Sequence, residues 1–126
     1  MDDEAKAKAY GGWERTWLAL ERTLLAWVRT SASLITFGFA FYKFVALYRH
    51  EQMLEHPRAL SGAHVYELIM IGLGVTSLMV AMLQHRSQVR HWAPPGAPVP
   101  RSVAAWLAAL FACAGILAFA VVWLRA

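Results

Sequence analysis

Arg15, Arg22 and Arg29 stand seven residues apart, in the successive triplets Glu14-Arg15-Thr16, Glu21-Arg22-Thr23 and Val28-Arg29-Thr30. A guanidinium is charged at any physiological pH and presents a planar fork of donors, the chemistry that suits phosphate-type anions. Carrying the register onward by sevens reaches Thr36 and Lys43, and a helix sets such positions along one slowly drifting stripe. Four residues after each arginine come Ala19, Ala26 and Ser33, with Ala40 next in line. Small side chains on that face would let helices approach closely. Glu14 and Glu21 are placed to pair with a neighbouring arginine and so reduce repulsion along the stripe.

Other candidate groups carry less. Lys43 is expected to pair with Glu67, the one acid of the second apolar segment, because an isolated charge in hydrocarbon is costly. His50, His56 and His64, with Glu51 and Glu55, offer donors for a divalent ion. Their spacing matches no defined metal site, and they read as a solvated loop. His85 and His91 flank Arg86 and Arg90 and are expected to face headgroups. The single cysteine, Cys113, lies inside an apolar block, so an internal disulfide is impossible. The sequence has neither a glycine-rich phosphate loop, an HExxH motif, a nucleophile elbow nor paired carboxylates. It reads as a protein that is not an enzyme, with no catalytic residues, no metal and no cofactor. Its basic residues follow the ends of the apolar segments rather than forming one soluble patch, which argues against nucleic acid as a partner.

The elements that must position these residues are helices in a membrane. Of 126 residues, 59% are hydrophobic and 16% charged, the net charge is +4, and the mean hydropathy is +0.42. That is too apolar for an ordinary soluble domain. The apolar residues fall in three runs, 24–47, 65–83 and 103–124, each long enough as helix to cross a hydrocarbon core about 30 Å thick. The expected fold is all-α: a single membrane domain, an integral three-helix bundle over 1–126. Residues 1–23 form an amphipathic, interfacial extension of the first helix, beginning near Gly12. The first run is too long, and the N-terminus that precedes it, opening with Asp2-Asp3-Glu4, too acidic, for a cleaved signal peptide. Residues 48–64 read as a polar linker, and 84–102, with four prolines, as a second linker that is not helical throughout.

Counting Lys and Arg near the spans puts seven on the side of the N-terminus and the second linker, and three, Arg49, Arg58 and Arg125, on the other. The bias predicts a cytoplasmic N-terminus and an outside C-terminus. Trp13, Trp17, Trp27, Trp92 and Trp106 at one interface, and Tyr42, Tyr48, Tyr66 and Trp123 at the other, fit two aromatic belts.

The stretch from Leu20 to Thr30 resembles the signature of the YidH-like family of small bacterial inner-membrane proteins. Leu18, Glu21, Arg22, Thr23, Leu25, Ala26, Trp27, Arg29 and Thr30 carry the match. The three-span layout is similar to the membrane part of the vacuolar transporter chaperone complex, whose subunits assemble around a basic conduit for polyphosphate. The resemblance implies a multi-pass protein of the bacterial inner membrane in which Glu21, Arg22 and Arg29 orient or line such a conduit. Three packed helices about 10 Å across leave no channel between them, so a conduit requires a homo-oligomer. In a ring, Arg15, Arg22 and Arg29 would stack as basic layers attractive to phosphate-like anions. Phe37 neighbours the stripe and is a candidate hydrophobic gate. The other reading is a non-conducting scaffold whose basic helix grips anionic lipid or a partner protein.

Overall fold

The computed structural model describes residues 2–52 and 57–125. Three helices form: α1 (Asp3–Gln52), α2 (Pro57–Trp92) and α3 (Val103–Leu124), with no strand among the described residues. All three are long and apolar enough to cross a membrane. The chain is thus all-α, as its hydropathy predicts, and its first helix is much longer than a span requires.

The helix ends differ from the expected ones for local reasons. α1 starts well before Gly12, because Ala5, Lys6, Ala7, Lys8 and Ala9 are strong helix formers. Asp3 and Glu4 in its first turn oppose the positive end of its dipole, and Arg49 and His50 in its last turn oppose the negative end. Gly11 and Gly12 weaken that segment without breaking it. The expected linker 48–64 is mostly helical: α1 runs on to Gln52, and α2 starts at Pro57, a residue suited to a first helical position. Charge there ends the apolar run, not the helix. His56 and Glu55, two of the candidate metal donors, lie outside the described residues.

α2 stops at Trp92, just before Pro94 and Pro95. A turn follows in which Ala97 N donates to Pro94 O at 3.1 Å, with Gly96 at φ +77 in the position that requires positive φ. Ser102 caps α3, its hydroxyl accepting from Ala105 N at 2.9 Å.

The three helices run up, down and up. Buried positions on α1 (Trp17, Leu24, Val28, Ser31, Gly38) and on α2 (Glu67, Ile71, Gly74, Leu78, Ala81, His85) recur in steps dominated by three and four. That is the seam of left-handed helix packing. α3 adds Ala104, Ala108, Ala112 and Gly115. Small residues set the spacing: a Cβ on Gly38 would stand 2.7 Å from Met70 Cβ, one on Gly74 2.9 Å from the Ser31 carbonyl oxygen, and one on Gly115 2.6 Å from Val75 Cγ2. Close backbone approach of this kind gives membrane helices their van der Waals contact. The interior between the helices is filled, and the large apolar side chains Phe44, Leu47, Ile69, Leu83, Leu110 and Leu117 point outward, as lipid contact demands.

Candidate functional site

The heptad that packs α1 also determines where its arginines go. With Leu24, Ser31 and Gly38 on the seam, Arg15, Arg22 and Arg29 fall on the outer flank, and all three are exposed. So are Ala19, Ala26 and Ser33, which lie on the side of α1 farthest from the core. Thr23 and Thr30 share this outer surface, and Thr16 is half-buried there. Their hydroxyls are turned back onto the helix: Thr16, Thr23, Thr30 and Ser33 donate to the carbonyls of Gly12, Ala19, Ala26 and Arg29 at 2.9–3.1 Å. Over three heptads the outer face of α1 therefore reads Arg, Thr, small. It carries a shallow groove of about 500 Å³ lined by Arg22, Thr23, Ala26, Trp27 and Thr30.

Beyond Ser33 the face changes character. Thr36 and Ala40 remain, but Phe37, Phe44 and Leu47 now project outward. Phe37 packs edge-on against Tyr66 of α2, with ring centroids 6.4 Å apart. Lys43 is exposed and lies over the Phe39 ring at 5.6 Å. The polar face thus covers the N-terminal part of α1 and gives way to aromatic side chains towards its C-terminal end.

Glu21 departs from its expected arrangement. It points away from Arg22, into the bundle, where Oε2 accepts from Ala104 N at 3.3 Å and Oε1 lies 4.0 Å from His85 Nε2. One carboxylate oxygen therefore satisfies a free N–H at the start of α3, where a helix dipole favours negative charge. The other is buried without a hydrogen bond. A ladder of rings leads away from this point: His85 to Trp17 at 5.9 Å, Trp17 to Trp13 at 6.0 Å, and Trp13 Nε1 donating to Pro98 O at 3.4 Å. A cavity of about 750 Å³ lies against it, lined by Tyr10, Trp13, Glu14, Trp17, Leu18, Pro98 and Pro100. Glu21 and His85 join the three helices at this end, and Glu14 sits exposed at the rim. His85 does not face headgroups as expected, being 7% exposed. The spacing of Trp13, Trp17, Leu24 and Val28 is the signal that would have placed Glu21 on the inner side.

At the opposite end of the bundle Glu67 is 2% exposed. Its partner is not Lys43, which is outside ion-pair distance, but His64 one turn back on the same helix, with Nδ1 3.8 Å from Oε2. Tyr42 lies edge-on to the His64 ring at 5.8 Å, and Arg125 closes the same small recess. The expected Lys43–Glu67 pair fails because α1 turns Lys43 to its outer flank while Glu67 lies on the seam. Among the described residues no group of three or more His, Cys, Asp or Glu side chains is arranged to hold a metal ion.

Fold and surface together define a membrane protein of three apolar helices with a basic outer face on the first. The family profile described as "Domain of unknown function (DUF202)" matches residues 15–91, more than half of the chain. The chain belongs to that family, which includes the YidH-like proteins. The matched region spans the Arg-Thr repeat of α1 and nearly all of α2. No curated protein and no solved structure matches the chain.

Proposed function

We propose that the protein acts as a homo-oligomer in the bacterial inner membrane, with its N-terminus in the cytoplasm, and that its α1 helices meet to form a basic conduit for phosphate-like anions or polyphosphate. The observation that carries this reading is the outer face of α1. Arg15, Arg22 and Arg29 with Thr16, Thr23, Thr30, Ala19, Ala26 and Ser33 lie on the outside of a bundle whose interior is filled. An arginine facing hydrocarbon at mid-span costs roughly 2.5–3.5 kcal/mol. Small residues beside it favour a neighbouring helix over lipid. Copies of α1 around an axis would remove Arg22 and Arg29 from lipid and stack their guanidinium groups towards a shared aqueous path. The role is non-catalytic, with neither cofactor nor metal.

Native mass spectrometry from lipid nanodiscs, supported by cross-linking in the membrane, tests the assembly, and phosphate or polyphosphate flux in proteoliposomes tests the path. A ring of four or more copies is expected, and Arg29→Ala abolishes flux while the ring persists. Flux unchanged in that variant refutes the conduit.

A second reading has its own observation: beyond Ser33 the outer face of α1 exposes Phe37 and Phe44, and the arginine repeat gives way to the single basic residue Lys43, so the continuous basic part does not cross the membrane. A non-conducting scaffold would use Arg15, Arg22 and Arg29 to hold anionic lipid headgroups or a partner protein. A monomer or dimer in both nanodiscs and membranes selects this reading.

A further inference from the structure

We infer that the outer face of α2 carries a headgroup site for one anionic phospholipid, built from Arg86, Ser87, Arg90 and His91 beside an apolar track that ends at Leu83. The inference is independent of whether the protein conducts, because the site lies on a different helix from the arginine repeat of α1. Leu83, Arg86, Ser87, Arg90 and His91 line a groove of about 520 Å³. Steps of three, four, seven and eight residues from Leu83 put them on one face of the helix, turned away from the seam residues Leu78, Ala81 and His85. All five are exposed.

Charge, free donors and depth each point to a lipid phosphate. Neither guanidinium has an ion-pair partner among the described residues, and the sequence contains no Asp or Glu after Glu67. Two forked cations with unmet donors suit a phosphate oxyanion. Thr76 and Ser77, three turns earlier on α2, donate back to the carbonyls of Gly72 and Leu73 at 2.7 Å. Ser87 makes no hydrogen bond among the described residues, so its hydroxyl is free to donate to a ligand. The His91 ring beside it packs edge-on against Trp92, with ring centroids 5.3 Å apart. As for depth, the apolar run of α2 ends at Leu83 while the helix continues to Trp92. By helical rise Arg86 to His91 stand about 4–12 Å past that point, and the headgroup region is roughly 5–8 Å thick on each side of a bilayer. Side chains lean towards the N-terminus of their helix, which on α2 is towards Leu83, so Arg90 and His91 reach back to the level of Ser87. Met79, Val80 and Leu83 continue the same face into the hydrocarbon, all exposed, and give an acyl chain its track. A zwitterionic headgroup would bring its own ammonium against two guanidinium groups, so the groove favours a lipid of net negative charge.

The test is native mass spectrometry of the full chain in mild detergent, titrated with phosphatidylglycerol, phosphatidylcholine or soluble glycerol phosphate. Wild type should bind one phosphatidylglycerol per chain, more tightly than phosphatidylcholine. Arg86→Gln or Arg90→Gln should weaken that binding about fivefold, and the two together roughly thirtyfold, with helix content by circular dichroism unchanged because both side chains lie outside the core. Arg101→Gln removes an equal charge from the neighbouring linker, outside the groove, and should leave the affinity as in wild type. An Arg101→Gln loss as large as that of Arg90→Gln reduces the binding to net charge and overturns the site, and so does equal affinity for the two lipids. Soluble glycerol phosphate held as tightly as phosphatidylglycerol overturns the lipid as occupant.

Discussion

Glu21 and Arg22 are adjacent in the chain and do opposite work. One residue of helix turns them about 100° apart, so Glu21 enters the bundle and Arg22 leaves it. Glu21 is bonded to the first turn of α3 through a backbone N–H, across 83 residues of sequence. Glu21→Ala removes that acceptor and leaves the buried Ala104 N–H unpaired. The expected loss is about 1–3 kcal/mol, measured by titration with denaturing detergent. Glu21→Gln retains an acceptor oxygen for Ala104 and should recover most of the loss, which separates a positioning role in the fold from one that needs the negative charge. The site's charge chemistry was legible in the Arg-Thr repeat. The partner of Glu21 was not, because a helix-terminal N–H belongs to no particular side chain and leaves no mark in the sequence.

At the scale of elements, glycine means two different things in this chain. Gly74 lies where α2 crosses α1, and a Cβ there would stand 2.8 Å from Ile35 Cγ1 and 2.9 Å from the Ser31 carbonyl oxygen. Gly74→Val must push the helices apart and should cost about 1–3 kcal/mol, again read by detergent titration at unchanged helix content. Gly12, in contrast, has nothing within 4 Å of its would-be Cβ. Gly12→Ala should stabilise α1 by about 0.5–1 kcal/mol through helix propensity alone. Helix positions followed from hydropathy, and α3 matches its expected bounds. The ends of α1 and α2 did not, since hydropathy reports where a helix leaves hydrocarbon and not where it stops.

On the scale of the whole molecule, the close approach of the helices at Gly38, Gly74 and Gly115 leaves no pore between the described helices of one copy, so the conduit reading needs a path between copies. On the conduit reading Phe37 sits where the polar face of α1 meets its aromatic part, with its ring held by Tyr66. Phe37→Ser should then raise conductance in planar bilayers while leaving the oligomer intact. Conductance equal to wild type in the assembled variant removes Phe37 from the path.

The three spans, their lengths and the basic repeat along the first are properties of residue type and local spacing, so they could be read directly from the chain. The tertiary structure decided the rotation of each helix about its own axis. Hydropathy constrains that rotation weakly in a helix that is apolar nearly all round, and it is settled by the close contacts at Gly38, Gly74 and Gly115. With the rotation set, the arginines of α1 face outward, Glu21 reaches α3, and Glu67 takes His64 as its partner in place of Lys43.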